Sequence, residues 1–445
     1  MIRSLRFQLF ITTKGLPAGG LRTGTPSLLA FSLLDTGAIR ATVADEVTAE
    51  RSLILAATRP SGHSREVVDR ALRSEVDWEC LIRLALRHRL APPLLAVLTS
   101  ADAGLVPEEI LDALRFYCSV LREHSEQLRT QLFQLLDALD RRSVVAVPFK
   151  GPVLADLLYG DIAFRSPGDL DILVRRESVA DVRAELEAQG FVDADGQANL
   201  PLTPAQRRIY EHYQCEYQYT RVADEVVVEP HWELTQRPMA IEADYPGMLD
   251  RVQSRDVGGR TVPALSPDDL LVALCVHGTK HEWERLSWVR DIAAVLAKFP
   301  EIDLERVVGQ ARARGYSRLM LLSLFIAREC AAVSLPAPVV RAIDADGVAP
   351  GLGRDVIEGL FRPPPPDPPT ERVRAFQIRV RERWTDRLRY VALTLVTPNR
   401  YYVQSVSLPS QLWWGYYAVR VGAKFAGPMW RLAKSLKLAS SGRNS

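Results

Sequence analysis

Two aspartates, two positions apart, are the residues of this chain whose spacing most directly suggests a chemistry. Asp169 and Asp171 begin the run Asp-Leu-Asp-Ile-Leu-Val, whose branched apolar residues favour a β-strand. Since side chains at positions i and i+2 of a strand share a face, both carboxylates are expected side by side. Neighbouring carboxylates repel unless a cation lies between them, and oxygen ligands suit Mg²⁺. The pair predicts a metal site for phosphoryl or nucleotidyl transfer, and the alternative is a turn whose acids cap backbone amides.

A third acid, Glu229, lies in a later segment that is also predicted to be a strand. Residues 215–220 alternate in polarity, and residues 223–225 fit a turn, so the two segments predict a hairpin. A hairpin beside the Asp169 strand would bring Glu229 against the aspartate pair, with His231 on the same face. The alternative is a solvent-exposed Glu229, because Pro230 is typical of an edge strand.

These motifs resemble the nucleotidyltransferase superfamily of the DNA polymerase β type, in which a glycine turn precedes an acid-x-acid strand and a third carboxylate follows. Within it, the chain resembles a large bacterial family described only as uncharacterised nucleotidyltransferases, over about residues 75 to 430. The motifs that carry this resemblance are Lys150-Gly151, Leu158-Tyr159-Gly160-Asp161, Arg165, Gly168-Asp169-Leu170-Asp171, Glu229-Pro230-His231-Trp232 and the run from His277 to Asp291. One departure is Pro152, which lacks a backbone N–H that could hold a phosphate.

The resemblance implies a fold, a reaction and a set of site residues. The expected fold is α+β, with a polymerase β-like core (a small mixed sheet with helices) framed by N- and C-terminal α-helical regions. The expected reaction moves an NMP from an NTP, ATP being the expected one, to a hydroxyl of an acceptor, with release of pyrophosphate. Asp169, Asp171 and Glu229 would be catalytic and would hold two Mg²⁺ ions. The nucleotide would be bound by Lys150, Gly151, Arg165, Lys280 and His281.

The acceptor is left open by the sequence, and a small molecule, a sugar, a peptide and a protein are all compatible with it. A second hypothesis is a catalytically retired core that serves as a nucleotide-binding sensor or scaffold. Pro152 favours this alternative, whereas the retention of three carboxylates argues against it. A third hypothesis, an RNA-tailing polymerase, is disfavoured because the net charge is only +2, whereas nucleic-acid binders usually carry a strong basic excess.

Composition and motif boundaries predict the organisation of the 445 residues. Five scattered cysteines without a CxxC motif favour free thiols in a reducing cytoplasm, and no apolar run approaches the length of a membrane span. Six segments are expected: a disordered or mis-started leader (1–45), an N-terminal helical region (46–142), the nucleotidyltransferase core (143–240), a helical domain (241–362), a Pro-rich linker (363–369) and a basic, aromatic C-terminal helical region (370–445).

Histidines and aromatic residues outside the core allow more than one interpretation. His88 is expected to pack in a core, with contact to a substrate as the alternative. His277 and His281 lie four positions apart on one helical face, so we expect a pair packed near Trp283 and Trp288, with a zinc site or a nucleotide contact as alternatives. The C-terminal region would dock on the catalytic unit through its aromatic residues, bind a membrane surface peripherally, or bind nucleic acid.

Overall fold

The structure, a computed structural model, describes residues 48–60, 62, 64–166, 168–193, 202–363 and 370–424. The predicted leader lies outside these residues, as do most of the predicted Pro-rich linker and the end of the C-terminal region. No helix in the described ranges combines the length and apolar composition that crossing a bilayer requires.

The N-terminal region is helical, as the three- and four-residue spacing of its apolar side chains predicts. Its helices are α1 (Ala49–Thr58), α2 (Arg65–Leu72), α3 (Trp78–Arg87), α4 (Ala91–Thr99) and α5 (Glu108–Asp140). Capping side chains fix two of the starts, because the Thr48 and Asp77 side chains accept hydrogen bonds from backbone N–H groups in the first turns of α1 and α3. In the second half of α5, Leu128, Leu132 and Leu135 are buried and face the sheet.

A mixed five-stranded sheet follows, in the order β1-β2-β5-β4-β3. Its strands are β1 (Ala146–Pro148), β2 (Leu170–Val174), β3 (Val192–Asp193), β4 (Tyr219–Arg221) and β5 (Val226–His231). The intervening helices are α6 (Gly151–Tyr159), α7 (Val179–Ala188) and α8 (Pro204–Tyr213). β2 and β5 pair in parallel and the other neighbours are antiparallel. The predicted hairpin is therefore present as β4 and β5.

The alternative interpretation, an edge position for the strand that contains Pro230, is wrong. β5 lies between β2 and β4, and the carbonyl of Pro230 accepts a hydrogen bond from the N–H of Tyr217. Because N–H and C=O of one strand residue point to the same side, the missing donor of Pro230 faces the segment before β4. The pairing continues past the proline, since the N–H of Trp232 donates to the carbonyl of Cys215, so Pro230 removes a single hydrogen bond from an inner strand.

The remaining elements are mainly helical and surround the sheet. A short helix α9 (Tyr245–Asp250) and the hairpin β6 (Gln253–Val257) and β7 (Arg260–Ala264) precede α10. The helical region comprises α10 (Pro267–Lys280), α11 (Leu286–Lys298), α12 (Leu304–Arg314), α13 (Ser317–Ala331), α14 (Ala337–Ala345) and α15 (Ala349–Phe361). The C-terminal region comprises α16 (Thr370–Arg379), α17 (Trp384–Val396), α18 (Arg400–Ser405) and helical residues 415–424.

Two hydrophobic clusters hold these elements together. One joins α1–α4 to α10–α15, so the helices on either side of the sheet domain in sequence share a core. The other lies under the sheet and includes Val403 and Tyr416 from the C-terminal region, both fully buried. That region is thus docked on the sheet domain through these side chains. The chain is mostly helical with one small mixed sheet, and the predicted α+β fold class is confirmed.

Candidate functional site

The parallel pairing of β2 and β5 brings the predicted carboxylates together. Asp171 lies directly opposite Glu229 in the register of the two strands, and Leu173 lies opposite His231. Because residues two positions apart share a face, His231 projects beside Glu229 toward Asp171. We call Asp169, Asp171, Glu216, Glu229 and His231 the acidic centre.

Asp171 is the hub of the acidic centre. Its side chain is 1% exposed, and its Oδ1 lies 2.7 Å from the Nζ of Lys150 and 3.0 Å from the Nε2 of His231. Burial alone would raise the pKa of Asp171, but the Lys150 ammonium and the His231 imidazole hold it well below its ordinary value. The other oxygen, Oδ2, is buried without a hydrogen-bond partner among the described residues. A buried anionic oxygen of this kind is costly, so it indicates a place for a cation.

Lys150 and Gly151 are positioned by the turn between β1 and α6. Gly151 has φ +64°, and a Cβ at this position would lie 3.3 Å from the carbonyl oxygen of Asp169. Glycine is therefore required both for the left-handed backbone and for the close approach to the aspartate strand. The turn brings the Lys150 ammonium over the Phe149 ring, 4.6 Å from its centroid, and onto Asp171.

Asp169 lies one residue before β2, at the point where the chain enters the sheet. It is half-buried, and burial followed by the charge of Asp171 raises its pKa, although Lys150, Arg165 and Arg89 oppose the shift. The two aspartates therefore differ: the pKa of Asp171 is lowered by direct ion pairs, whereas Asp169 is under the repulsion that the sequence predicts.

Glu229 is largely buried, with 17% of its side chain exposed, and its Oε1 accepts a hydrogen bond of 2.8 Å from Gln218. Burial, reinforced by the charges of Asp171 and Asp169, raises the pKa of Glu229 to about 7. The alternative of a solvent-exposed strand residue is thus wrong, because β5 is an inner strand. A carboxyl group whose pKa lies this high is one whose negative charge the surrounding residues do not fully compensate.

His231 connects the acidic centre to a second layer that sequence reasoning missed. Its Nδ1 lies 3.0 Å from Oε2 of Glu216, and both oxygens of Glu216 lie within 3.1 Å of the Lys280 ammonium. Burial would lower the pKa of His231, but hydrogen bonds with Asp171, Cys215 and Glu216 raise it well above its ordinary value. Glu216 forms a bridge with His231 and, by the alternation of a strand, shares a face with Gln218, whose side chain contacts Glu229.

Two arginines lie beside the acidic centre. The Nε of Arg165 donates to Oδ2 of Asp291 at 3.0 Å, and no hydrogen bond from its two terminal nitrogens occurs within the described ranges. Arg89, absent from the predicted site, donates to the carbonyl of Ser166 at 3.2 Å. Burial, with the nearby charges of Arg285 and Arg165, lowers the pKa of Arg89 to about 10. No sequence pattern marks Arg89, which follows the end of α3.

Lys280 and His281, predicted to contact the nucleotide, lie at the end of α10. Lys280 is engaged with Glu216, and its side chain is 11% exposed. The His281 ring packs 4.8 Å from His277 and 5.4 Å from Trp288, centroid to centroid, which is the expected packing of this pair. Burial and the neighbouring Lys280 lower the pKa of His281 to about 4. Their nucleotide contacts stay predictions.

The other candidate positions lie apart from this cluster. His88 is fully buried, with Nε2 2.9 Å from the carbonyl oxygen of Leu360, so the predicted core role fits its position. A cleft of about 640 Å³ lies between α4, α5 and the 3-10 turn Ile162–Phe164. It is not lined by the acidic centre, although Phe164 on its wall directly precedes Arg165.

The arrangement combines clustered acids, flanking cations and donor atoms close enough for one ion. The donor atoms of Asp171, Glu229 and His231 lie within 4.8 Å of one another. Such a cluster suits a divalent cation that neutralises phosphates, with basic side chains available for the remaining charge.

Comparison with protein families matches residues 74–332 to the family described as uncharacterised nucleotidyltransferase. The match spans more than half of the chain and includes the acidic centre, Lys150, Arg165 and Lys280. Comparison with curated proteins gave no match, and neither did comparison with solved structures. The chain therefore belongs to this uncharacterised nucleotidyltransferase family.

Proposed function

We propose that the protein is a divalent-metal-dependent nucleotidyltransferase that moves an NMP from an NTP to an acceptor hydroxyl and releases pyrophosphate. Family membership suggests the class of reaction. The observation that carries the proposal is the pairing of Asp171 with Glu229 on adjacent inner strands, with Oδ2 of Asp171 buried and unpartnered among the described residues. Asp169, at the entry of the same strand, adds the third predicted carboxylate.

The oxygen donors present fit Mg²⁺, the predicted metal, of which two ions are expected. Burial and then the neighbouring acids raise the pKa values of Asp169 and Glu229, and a bound cation would lower them again. Asp169 and Asp171 would hold both ions, and Glu229 would complete the site on the acceptor side. Bound there, the metal supplies charge stabilisation for the attacking and leaving oxygens of an in-line displacement.

Lys150 and Arg165 would neutralise the β- and γ-phosphates of the NTP, for which ATP is the expected nucleotide. A cation that binds Asp171 would compete with Lys150, and the released ammonium would then be free to contact phosphate. Asp291 holds Arg165 through Nε alone, so its terminal nitrogens are available for a bidentate phosphate contact. Arg89, close to Asp169 and Arg165, adds a third cation to this set.

A transfer assay with purified protein and each α-³²P-labelled NTP in a cell extract tests the proposal. We expect label on one extract component in the presence of Mg²⁺, and its loss in Asp169→Asn and Asp171→Asn. Asp181→Asn, an exposed carboxylate on α7 of the same domain, is the matched control and should transfer normally. Full activity of Asp169→Asn would exclude the mechanism.

The assay also separates the proposal from the sensor or scaffold alternative. Metal-dependent NTP binding without pyrophosphate release would support the alternative. A labelled acceptor, in contrast, could be identified directly as a small molecule, a sugar, a peptide or a protein. A nucleic-acid acceptor would require binding that weakens steeply with salt.

A peripheral membrane contact is the proposed role of α17. Its exposed apolar side chains are Trp384, Leu388, Val391 and Leu395, whose spacing of four, three and four positions places them on one face. Trp384 is 72% exposed and Leu388 60%. The sequence contains no acidic residue after Asp386, while basic residues continue to Arg443. An apolar helix face within a basic segment suits the surface of an anionic bilayer.

Flotation with vesicles tests this contact. The protein should float with phosphatidylcholine vesicles that contain phosphatidylserine and remain below with phosphatidylcholine alone. Trp384→Ser/Leu388→Ser should abolish flotation, while Val222→Ser, a control on an equally exposed valine of the β4–β5 turn, should not. Flotation that persists in the double variant would exclude α17 as the contact.

A further inference from the structure

His231 places an imidazole nitrogen among the carboxylates of the acidic centre. Its Nε2 lies 3.0 Å from Oδ1 of Asp171 and 3.8 Å from Oε2 of Glu229. Two ligands on opposite sides of an ion, each about 2.1 to 2.2 Å from it, are separated by roughly 4.4 Å at most. Since the three donor atoms already lie within 4.8 Å of one another, small side-chain rotations would suffice for shared coordination.

The second nitrogen of the same ring also has a carboxylate close to it. Nδ1 lies 3.0 Å from Oε2 of Glu216, although the contact lacks the geometry of a hydrogen bond, and the Lys280 ammonium holds Glu216 through both carboxylate oxygens. A histidine that binds a metal commonly donates its other N–H to a carboxylate, which fixes the ring orientation and the tautomer. Glu216, held by Lys280, is thus close enough to accept from Nδ1 after a small rotation, while Nε2 lies beside Asp171 and Glu229.

The opposite side of the ring is a poorer position for an ion. Cys215, Glu216 and His231 also bring donor atoms within 4.8 Å of one another. The Lys280 ammonium already supplies the cation there, since it lies 3.0 Å from Glu216 and 3.9 Å from the Cys215 sulfur. An ion there would have to displace the Lys280 ammonium from both groups. On the Nε2 side Lys150 contacts only Oδ1 of Asp171 and leaves Oδ2 without a partner among the described residues, so the Nε2 side is favoured.

We propose that His231 binds one divalent ion of the acidic centre through Nε2, together with Asp171 and Glu229, and makes this position prefer a first-row transition ion such as Mn²⁺ over Mg²⁺. The inference rests on the metal site of the proposed function. Imidazole is a good ligand for transition ions, whereas Mg²⁺ prefers oxygen ligands and retains water. One imidazole added to two carboxylates shifts the preference accordingly.

Pulsed EPR on Mn²⁺ bound to the full chain without nucleotide tests this ligand directly. We expect a hyperfine coupling from ¹⁴N, replaced by a ¹⁵N coupling when the protein is made with ¹⁵N-histidine. His231→Gln should remove the coupling and weaken Mn²⁺ binding by about 10- to 100-fold, as for other changes around a metal site. Mg²⁺ binding, measured by competition with Mn²⁺, should change much less.

Two further variants sharpen the result. Glu216→Gln should retain the nitrogen coupling but weaken Mn²⁺ binding by about tenfold, because the ring loses its orienting carboxylate. His212→Gln, a control on α8 whose ring packs against Trp413, should leave both readouts unchanged. If His231→Gln does not fold, the isotope exchange in the unaltered chain, together with the Glu216→Gln affinity, still decides the question.

Mn²⁺ bound without histidine nitrogen coupling would overturn the inference, as would a coupling that survives His231→Gln. The outcome is separable from that of the proposed function. Nitrogen coupling in a protein that transfers no label would exclude nucleotidyl transfer but support His231 as a metal ligand. Label transfer with Mg²⁺ and no nitrogen coupling would support nucleotidyl transfer but exclude His231 as a metal ligand.

Discussion

Two regions of the molecule bury charged side chains, and they differ in how completely the charges are matched. Around Asp291, one carboxylate is shared by Tyr159, which donates to Oδ1 at 2.8 Å, and Arg165, which donates to Oδ2 at 3.0 Å. Arg290 lies over the Tyr159 ring and donates to the carbonyl of Ala57. Both oxygens of the buried acid are therefore satisfied by the protein itself.

The acidic centre leaves one buried acidic oxygen unmatched. Its four carboxylates lie among Lys150, Lys280 and His231, with Arg165 and Arg89 beside them, yet Oδ2 of Asp171 has no partner in the part of the chain that the structure describes. The pKa of Glu229 is raised to about 7, first by burial and then by Asp171 and Asp169. A fully satisfied cluster is what a structural role requires, whereas a buried acidic oxygen without a partner favours a site for a cationic ligand.

Replacing Asp171 should produce the largest effect, because this residue serves both stability and the proposed chemistry. Asp171→Asn should reduce nucleotidyl transfer by about 10²- to 10³-fold or more, since the loss of one key electrostatic group typically costs about 10²- to 10³-fold. It should also destabilise the fold by about 3 to 5 kcal/mol, since Lys150 and His231 would stay buried without their anion. Transfer assays and urea unfolding measure the two effects.

A second substitution separates the two roles of Asp171. Lys150→Met in the Asp171→Asn background removes one uncompensated cation and should recover part of the lost free energy of unfolding, but no activity. The sequence alone suggests that removing either aspartate leaves stability intact, because it shows only a repulsive pair. Unchanged unfolding of Asp171→Asn would mean that the ion pairs contribute no net stability.

Replacing Asp291 should lower the free energy of unfolding, while the acidic centre should keep its arrangement. Asp291→Asn leaves the largely buried Arg165 guanidinium without its carboxylate and should cost about 3 kcal/mol in the free energy of unfolding. The matched control is Glu108→Gln, which breaks a solvent-exposed pair with Arg115 and should change the free energy of unfolding far less. Equal costs for the two variants, measured by urea unfolding, would contradict the distinction between buried and exposed pairs.

Sequence patterns predicted the elements that carry the acidic centre, because local chemistry determines them. Ser266 and Pro267 are a local start signal for α10, with the Ser266 hydroxyl accepting from the N–H of Asp269. Gly151 occupies the turn where its positive φ and close approach to the Asp169 carbonyl favour glycine. Strand alternation put His231 on the same face as Glu229, as the structure has it. Motifs of this kind depend on residues a few positions apart, so one sequence is sufficient to recognise them.

The remaining contacts depend on which elements become neighbours, which periodicity does not determine. Asp291 meets Arg165 from 126 positions away, and Lys280 meets Glu216 from 64. Arg89 reaches Ser166 from a helix end without any motif. Pro230 suggested an edge strand because proline lacks the N–H that an inner strand normally donates. Which strands lie on either side of β5 is set by tertiary structure, and the sequence around Pro230 does not contain that information.

His88 is a buried titratable group whose ring nitrogens pair with backbone groups and not with charged side chains. Its Nε2 donates to the carbonyl of Leu360, and its Nδ1 accepts from the N–H of Leu286, so the neutral ring is satisfied. Burial, followed by the charge of Arg87, lowers the pKa of His88 to about 4. His231 is almost equally buried, yet its carboxylate partners raise its pKa. The partners, not the burial, set the direction.

The lowered pKa of His88 predicts a loss of stability in acid. Because the folded state favours the neutral ring, the contribution of His88 is complete above about pH 6.5 and is lost as the pH falls from there toward 4. The free energy of unfolding falls by at most about 3 kcal/mol, because the pKa of His88 is about 4 in the folded protein and 6.5 ordinarily. Urea unfolding of the unaltered chain and of His88→Gln between pH 7 and pH 4 should show a shallower decline in the variant. Parallel declines would mean that His88 keeps an ordinary pKa in the folded protein and that its contacts with Leu360 and Leu286 tolerate a charged ring.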